Sequence, residues 1–489
     1  MSITTAAPAG TKPPSTTAVV AVLAFAGIVV SLMQTLVIPI IPHLPEYLNA
    51  PASDTVWAVT ATLLAASVAV PTMGRLGDMF GKRRLLLISL ALLVVGSVIG
   101  ALSSSLVPLI FGRVLQGLAA GVIPLGISIM RDVLPPKKLA GAVAAMGASM
   151  GVGGALGLPL AALIAEYANW HVLFWTSAAL GVLVTVLVVV NVPESTVRSG
   201  GKFDFVGAAS LSAGLIALLL AISKGNSWGW TSTQTLAMLG FSLVAFVIWG
   251  WWELRTPQPL VNLRVSVRPQ VLFTNLASIV FGFAMFALSM VFPQVVQLPE
   301  ATGFGLGGSM LTAGLVMAPS GIVMMLIAPV SSRITNLYGA KITLMIGAVV
   351  VAVGYAIGIF AMHSIWQLIM IAMITGAGTG MAYGAMPALI MGAVPLSETG
   401  AANSFNTLMR SLGTSFASAI AGVVIAQMTM SFGGATLPSE NAFRVIMALA
   451  AGSAIIALIL TSFIPKFQKP NSTTETHDNS AAQVPATAN

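Results

Sequence analysis

Fourteen apolar stretches, each long enough to cross a lipid bilayer, dominate this sequence of 489 residues. A helix needs about 20 mostly apolar residues to span the hydrocarbon core, and short polar or Pro- and Gly-containing breaks separate these stretches. Because 57% of the residues are hydrophobic and only 7% are charged, little of the chain is left for an extramembrane domain. The sequence therefore predicts an all-α polytopic membrane protein. Its predicted spans 1 to 14 cover residues 18–41, 55–74, 85–103, 107–130, 139–165, 171–192, 206–222, 233–252, 270–292, 305–331, 342–362, 365–393, 401–428 and 442–464.

The basic residues predict how these spans are oriented. Lys and Arg are retained on the cytoplasmic side of a membrane, and an even number of spans places both termini on one side. With the N-terminus inside, Lys224 and Arg444 alone fall outside, Arg113 and Arg410 fall within spans, and all other Lys and Arg residues are cytoplasmic. The net charge of +8 therefore reflects topology, and no nucleic-acid partner is predicted. We expect a multi-pass protein of the inner or plasma membrane with both termini in the cytoplasm.

The residues that most enzyme and metal sites need are absent or scattered in this sequence. It contains no cysteine, and its four histidines lie far apart, so we predict neither disulfides nor a metal site. It also has no Gly-x-x-x-x-Gly-Lys-Ser/Thr loop for ATP and no paired acids or nucleophile–base pair inside a span. We therefore expect no cofactor and no enzyme activity.

The chain contains an internal repeat. Segments 74–84 and 329–341 both place a basic, glycine-containing turn between a second and a third span. Spans 1–6 and 9–14 thus form matched sets of six with spans 7 and 8 inserted between them, an organisation found in many secondary transporters. The predicted parts are a disordered cytoplasmic tail (1–17), an N-terminal six-helix bundle (18–192), a cytoplasmic linker (193–205), two inserted spans (206–253), a second linker (254–269), a C-terminal six-helix bundle (270–466) and a disordered tail (467–489).

The turn between spans 2 and 3 reads GRLGDMFGKRR, from Gly74 to Arg84. Its glycines allow a tight turn, Asp78 can cap or pair near a helix end, and its basic residues hold the cytoplasmic side. This pattern resembles the signature loop of the major facilitator superfamily, and the resemblance, to its fourteen-span drug:proton antiporter branch, covers about residues 18–465. The resemblance implies a conformational role for Gly74, Arg75, Gly77, Asp78, Gly81, Lys82, Arg83 and Arg84.

Span 4 carries a second motif of this family. Arg113, Gln116, Gly117 and Gly121 lie along one helical stripe and resemble the motif whose arginine is associated with proton coupling in antiporters. An arginine within a span costs about 2.5–3.5 kcal/mol or more unless it faces a cavity or a partner. The alternative is a structural arginine that binds neighbouring carbonyl groups.

Span 5 is similar to the antiporter motif that ends in a Gly-Pro pair, although Leu158 here separates Gly157 from Pro159. Small residues such as Gly153 and Gly157 let two helices approach closely, and a proline loosens the helix around it. A helix that bends during transport and simple close packing both fit this pattern.

Polar side chains inside spans 1, 4 and 13 predict a substrate cavity, since repeat-built transporters bind their substrates near the midplane between the repeats. Gln34 stands where the resembled branch often has an aspartate. For Asn403 and Thr407, interhelical hydrogen bonding is an equal alternative. The expected cavity residues are Ser31, Gln34, Arg113, Gln116, Asn403, Thr407 and Arg410.

The charges leave two hypotheses for this cavity. Glutamine does not titrate, and none of the 13 Asp and Glu residues falls at the middle of a predicted span. Proton coupling would then use a group near a span end, for which the candidates besides Arg113 are His43, Asp54, Asp132 and Glu166. Alternatively, two arginines inside the membrane give the cavity a positive charge that favours neutral, zwitterionic or anionic substrates.

The combined prediction is a secondary transporter that exports small amphipathic compounds or drugs by alternating access, with proton-coupled antiport implied by the resemblance. Its expected partners are a small-molecule substrate, protons and the lipid bilayer, and its oligomeric state stays open. The alternative within transport is a dedicated exporter of one metabolite, lipid or antibiotic. From a different class, a non-transporting membrane sensor or scaffold is the remaining alternative.

Overall fold

The computed structural model of the protein describes residues 15–38, 40, 44–55, 57–433 and 435–465. In this part of the chain, fourteen helices have the length and hydropathy needed to cross a bilayer, which confirms the predicted all-α polytopic membrane fold. In order, spans 1 to 14 are Thr16–Thr35, Trp57–Phe80, Lys82–Leu102, Leu106–Leu118 continued by Val122–Val133, Pro136–Tyr167, His171–Asn191, Phe205–Trp228, Thr233–Arg255, Pro269–Gln297, Met310–Tyr338, Ala340–Phe360, Ile365–Met391, Thr399–Gln427 and Glu440–Ser462.

Shorter elements connect some of these spans. Short helices cover Leu44–Leu48, Ala52–Thr55 and Leu263–Ser266, and 3₁₀ turns cover Ala119–Gly121, Glu300–Thr302 and Leu396–Glu398. Strands β1 (Thr429–Phe432) and β2 (Ala435–Pro438) form an antiparallel hairpin between spans 13 and 14, in which Thr429 pairs with Pro438. The sequence analysis did not predict this hairpin.

Local sequence explains where many of the spans begin. A helix leaves its first backbone N–H groups without partners, and a Ser or Asp side chain just before the helix can accept one of them. Ser15, Asp204 and Ser232 accept from Ala18, Gly207 and Thr235 at the starts of spans 1, 7 and 8. Spans 5 and 9 instead have a proline in their first turn, where no N–H is needed.

Several predicted boundaries differ from the structure by a few residues, and two of these differences, in spans 4 and 7, have identifiable reasons. Span 4, predicted as one helix, is interrupted by the 3₁₀ turn at Ala119–Gly121, which follows the close packing of Gly117 on the backbone of span 2. Span 7 ends at Trp228 and not near residue 222, because the Lys224 ammonium lies over the Trp57 ring and Asn226 accepts a hydrogen bond from Trp230. These contacts continue the helix through residues that are too polar for a span.

The hydrophobic core is divided between two groups of spans. One cluster of buried side chains comes mainly from spans 1, 3, 4, 5 and 6, and includes Leu86, Ile129 and Val143. The other comes from spans 9 to 14 and includes Phe281 and Phe443. Span 7 packs against spans 2 and 13, so the inserted pair lies beside the junction of the two groups. The predicted tails fall outside the described residues, except that Ser15 and the start of span 1 lie within 1–17.

The side of the structure that carries the turn at Gly81 is called the basic side below. Odd-numbered spans begin there and even-numbered spans end there. The sequence predicts that this side faces the cytoplasm, which stays a prediction.

Candidate functional site

A cavity of about 750 Å³ lies between the two groups of spans. Spans 1, 2 and 5 line it from one group, and spans 9 to 13 line it from the other. Span 2 contributes its first turns, at Val59 and Leu63, whereas span 1 contributes its last turns, at Gln34 and Thr35. Because these turns meet at the end of the molecule opposite the basic side, the cavity opens away from the basic side.

The described lining of the cavity is apolar and neutral-polar, with no Asp, Glu, Lys or Arg among its residues. Glutamine, serine and threonine side chains supply hydrogen-bonding groups, among them Gln34, Gln294 and Thr379. Methionines supply much of the apolar surface, and their flexible thioethers adapt to substrates of different shapes. The lining methionines are Met150, Met285, Met290, Met310, Met317 and Met324.

The residues expected in the cavity occupy three different environments. Ser31 and Gln34 are part of its lining, and Arg410 contacts two lining residues. Arg113, Gln116, Asn403 and Thr407 are not part of the lining. Asn403 donates to the carbonyl of Thr399 in its own helix, and its side-chain oxygen has no partner among the described residues. Asn403 therefore makes no interhelical hydrogen bond there.

Arg113 is 1% exposed and bound to its own group of spans. Its Nε donates to the Ala58 carbonyl at 3.0 Å, and its Nη1 donates to the Met33 carbonyl at 3.4 Å and to Gln116 Oε1 at 2.7 Å. Gln116 in turn donates to Ser97 Oγ at 2.8 Å. These bonds tie spans 1, 2, 3 and 4 together, which favours the structural interpretation of Arg113.

Arg410 is 6% exposed and has a different set of contacts. Its guanidinium lies over the ring of Tyr383 at 4.6 Å, and its Nη2 lies 3.9 Å from the sulfur of Met150. Met150 belongs to span 5, whereas Arg410 and Tyr383 belong to spans 13 and 12. Arg410 therefore lies at the contact between the two groups of spans.

The basic side of the same interface is closed by Asp78. Asp78 is fully buried, and its carboxylate accepts hydrogen bonds from the backbone N–H groups of Gly400 at 3.0 Å and Ala401 at 2.8 Å. These are the first free N–H groups of span 13, where the helix dipole also favours a negative charge. Lys82 lies 3.6 Å from Asp78 and 2.6 Å from Asp132, and is itself fully buried. One carboxylate thus links the end of span 2 to the start of span 13.

Arg131 makes the second polar connection across the basic side. Arg131 lies at the end of span 4. Its guanidinium donates to Thr399 Oγ1 at 2.5 Å and to the carbonyl of Val394, a residue just after span 12, at 2.9 Å. The backbones also approach closely, because a Cβ added to Gly74 would lie 2.5 Å from the carbonyl oxygen of Gly400. These contacts and the Asp78 bonds are together called the basic-side gate below.

The other residues of the predicted conformational motif lie around this gate. Arg75 donates to Ser199 Oγ at 3.4 Å, and Arg83 donates to the Val189 carbonyl at 2.7 Å, while Arg84 is exposed. Gly81 has φ of +113°, a value that side chains rarely permit, and Gly77 packs on Leu125. The motif thus forms a turn whose arginines bind both the linker, at Ser199, and span 6, at Val189.

Gly153 and Gly157 of span 5 face span 1. A Cβ on Gly153 would meet the backbone of Ile28 and Ser31, and a Cβ on Gly157 would meet Thr35. Pro159 lies against span 10, where a Cβ on Gly314 would be 2.8 Å from its nitrogen. Close packing of small residues accounts for these positions in this conformation.

The proposed proton carriers are dispersed. The Asp132 side chain is buried beside the basic-side gate, where its Oδ2 accepts from Lys82 and from Ser195 Oγ, and its Oδ1 has no hydrogen-bond partner in the part of the chain that the structure describes. Asp54 is exposed in the short helix before span 2, and position 166 lies in the last turn of span 5. His43 lies outside the described residues.

Sequence reasoning missed several residues of this region. Tyr383 lies between Gly380 and Gly384 of span 12. An aromatic side chain flanked by glycines was a signal that could have identified it. Asn406 donates to Asn275 and Ser278 and joins spans 13 and 9. Asp204 and Glu253 are buried near one another at the basic ends of spans 7 and 8, where indole N–H groups of Trp252 and Trp249 bind them.

Comparison with known proteins adds independent information. Residues 23–336 and 274–487 match the family model described as Major Facilitator Superfamily. "Multidrug resistance protein 3" of Bacillus subtilis (strain 168) is 25% identical over 377 residues, which cover 75% of this chain and 72% of the relative. "Tetracenomycin C resistance and export protein" of Streptomyces glaucescens is 25% identical over 406 residues, which cover 81% of this chain and 73% of the relative.

A solved structure with a similar fold is that of the human organic anion transporter MFSD10 (TETRAN). It superposes with a TM-score of 0.65 at 16% sequence identity, and covers 92% of this chain and 100% of that chain. At this identity the likeness concerns the fold alone.

Proposed function

Because the chain belongs to the major facilitator superfamily and is therefore a membrane transporter and not an enzyme, we propose that it exports small amphipathic compounds by alternating access in exchange for protons. The observation that carries this proposal is the pairing of one cavity, open away from the basic side, with a closed gate on the basic side. The cavity and the gate are both formed between the same two groups of spans. If the gate opens and the outer mouth of the cavity closes, the residues that line the cavity become accessible from the basic side.

The lining supports a broad range of amphipathic substrates. Six methionines and several amide and hydroxyl groups offer apolar contact and hydrogen bonds without a fixed charge in the lining itself. The named functions of the relatives, multidrug resistance and export of tetracenomycin C, are consistent with such a pocket. The second relative also favours the alternative of a dedicated exporter of one compound.

The moving parts in this proposal are two bundles, residues 18–192 and 270–466. The protein lies in the inner or plasma membrane, with its basic side in the cytoplasm. In this arrangement the structure represents a state that releases substrate outward. Asp132 is the proposed proton carrier, because its side chain is buried and its Oδ1 has no hydrogen-bond partner among the described residues. A proton on Asp132 would weaken its bond to Lys82 and loosen the basic-side gate.

The test is transport by the purified full chain in liposomes, with pH and voltage gradients imposed separately. We expect a pH gradient alone to drive accumulation of an amphipathic fluorescent dye, and Asp132→Asn to reduce this accumulation more than tenfold while downhill exchange of the dye persists. Glu300→Gln, an exposed acid far from the gate, is the matched control and should leave both rates unchanged. Accumulation that ignores the pH gradient would contradict proton coupling, and undiminished accumulation by Asp132→Asn would exclude Asp132.

A further inference from the structure

Arg410 lies at the deep end of the cavity. Met150 is the lining residue of span 5 closest to the basic side, and Tyr383 is the corresponding residue of span 12. Arg410 contacts both of them, through the Met150 sulfur and the Tyr383 ring. Its guanidinium is therefore one side chain away from the space that a substrate occupies, between that space and the basic-side gate.

The charge of Arg410 is not compensated in this conformation. Among the described residues, no carboxylate lies within the 4.0 Å of a salt bridge to it, and its one side-chain hydrogen bond is a long contact to a thioether. Sulfur is a weak acceptor, and among the described residues Tyr383 binds the cation through the electron-rich face of its ring and accepts no hydrogen bond from it. A guanidinium that is 6% exposed and lacks an anionic partner is costly in a membrane protein, unless a ligand supplies the partner.

Arg113 provides the internal contrast. It is more deeply buried, but its Nε and Nη1 donate to two backbone carbonyls and to the Gln116 side chain, all of which are oxygen acceptors. The cavity lining contains none of these three partners. Of the two arginines within spans, Arg410 is the one that contacts lining residues and that, among the described residues, donates to no oxygen acceptor.

We propose that Arg410 and Tyr383 form a subsite at the deep end of the cavity that selects substrates with an anionic oxygen group, such as a carboxylate or sulfonate, on an aromatic or apolar body. The proposal rests on the export function proposed above and narrows its substrate class. The guanidinium replaces its contact to Met150 by charge-assisted hydrogen bonds to the anion, and the methionine-lined part of the cavity holds the apolar body. Since the described lining has no acid, none of its side chains offers a negative charge to a cationic substrate.

The test uses three probes with the same apolar body: pyrene-1-butyrate, its neutral amide and the matching pyrenebutyl-trimethylammonium. Their binding to the full chain in lipid nanodiscs is measured by pyrene fluorescence. We expect the wild-type protein to bind the carboxylate at least about tenfold more tightly than the ammonium probe. In Arg410→Gln the carboxylate affinity should fall about 10- to 100-fold, because a hydrogen bond to a charged group is worth about 1.5–3 kcal/mol and each 1.4 kcal/mol is tenfold.

Two further variants separate charge recognition from loss of structure. Arg410→Lys keeps the charge and should keep part of the preference for the carboxylate, whereas Arg113→Gln should lower thermal stability without changing the ratio of carboxylate to ammonium affinity. Arg333→Gln, an exposed arginine at the basic end of span 10, is the neutral control for all three probes. An unchanged affinity ratio in Arg410→Gln would overturn the proposal.

Transport of the same probes distinguishes this proposal from the function on which it rests. If a pH gradient drives export of the ammonium probe best, proton-coupled export stands and the anionic subsite is wrong. If Arg410→Gln abolishes the carboxylate preference but no probe responds to the pH gradient, the subsite stands and proton-coupled export is wrong.

Discussion

The two ends of the interface between the bundles are built from different kinds of groups. At the basic-side gate, a buried carboxylate binds the start of a helix, arginine binds carbonyl groups, and glycines let the backbones touch. Around the cavity, the described side chains are uncharged and many are flexible. The gate therefore depends on a few directional bonds that are either made or broken, whereas the cavity can adapt gradually to its contents. The gate is thus suited to switching between two conformations, and the cavity is suited to recognising the substrate.

The absence of cysteine allows this difference to be tested with single-cysteine reporters. Ala144 is 1% exposed and packs against Gly384 on the closed side of the interface, whereas Met290 lines the cavity. With Ala144→Cys or Met290→Cys in an otherwise native chain, a polar thiol reagent should label position 290 quickly and position 144 slowly. The ratio of the two labelling rates reports which end is open.

The largest effect is expected for Asp78→Asn. Removing one partner from a buried charge pair costs about 3–5 kcal/mol, and here that cost falls on the closed gate, because Gly400, Ala401 and Lys82 lose the carboxylate. Labelling at position 144 should increase more than tenfold, and labelling at position 290 should fall. Glu300→Gln serves again as the exposed control, and an unchanged labelling ratio in Asp78→Asn would show that the gate does not depend on this carboxylate.

A smaller effect is expected for Gly74→Ala. The added Cβ would lie 2.5 Å from the Gly400 carbonyl oxygen, and such overpacking costs about 1–3 kcal/mol. The gate should close incompletely, so that labelling at position 144 increases several-fold. Gly240→Ala in span 8, away from the cavity lining, is the matched control, because the added Cβ meets no atom of the described residues within 4 Å. Equal labelling ratios for the two variants would contradict close backbone approach as part of the gate.

The smallest effect is expected in the cavity, for Met317→Leu. Exchange of one large apolar side chain for another usually costs less than about 1.5 kcal/mol, and the neighbouring methionines can adjust their rotamers. Dye affinity should change by no more than about threefold, with the labelling ratio unchanged. A loss of binding comparable with that in Arg410→Gln would mean that the cavity is shaped for one compound, in favour of the dedicated exporter.

Several features of the fold could be predicted because each depends on local sequence. The number of spans follows from runs of apolar residues, and it matches the fourteen helices of membrane-spanning length among the described residues. The motif from Gly74 to Arg84 could be located because its glycines and charges are contiguous. The break in span 4 and the hairpin at Thr429–Pro438 could not be predicted from the sequence. The break arises from helix packing and the hairpin from backbone pairing, and neither leaves a clear trace in hydropathy.

The site was harder to predict than the fold. Ser31 and Gln34 were expected near the substrate space because span 1 carries few polar residues, and both line the cavity, whose role in substrate binding stays a prediction. Arg113 and Arg410 look alike in sequence, since each is a single arginine within a span. Only the carbonyl groups of Ala58 and Met33 beside one, and the Tyr383 ring beside the other, separate them.

The sequence by itself determined that this chain crosses a membrane fourteen times, because burial of apolar side chains in lipid is a property of each segment taken alone. It also determined which segment carries the charged turn of the gate. Tertiary structure alone decided that Asp78 meets the start of span 13, more than 300 residues later, and that Arg113 donates to oxygen acceptors whereas Arg410, among the described residues, donates to a sulfur. The reason is physical: what a buried charge does depends on the groups within a few ångströms of it, and those groups come from distant parts of the chain.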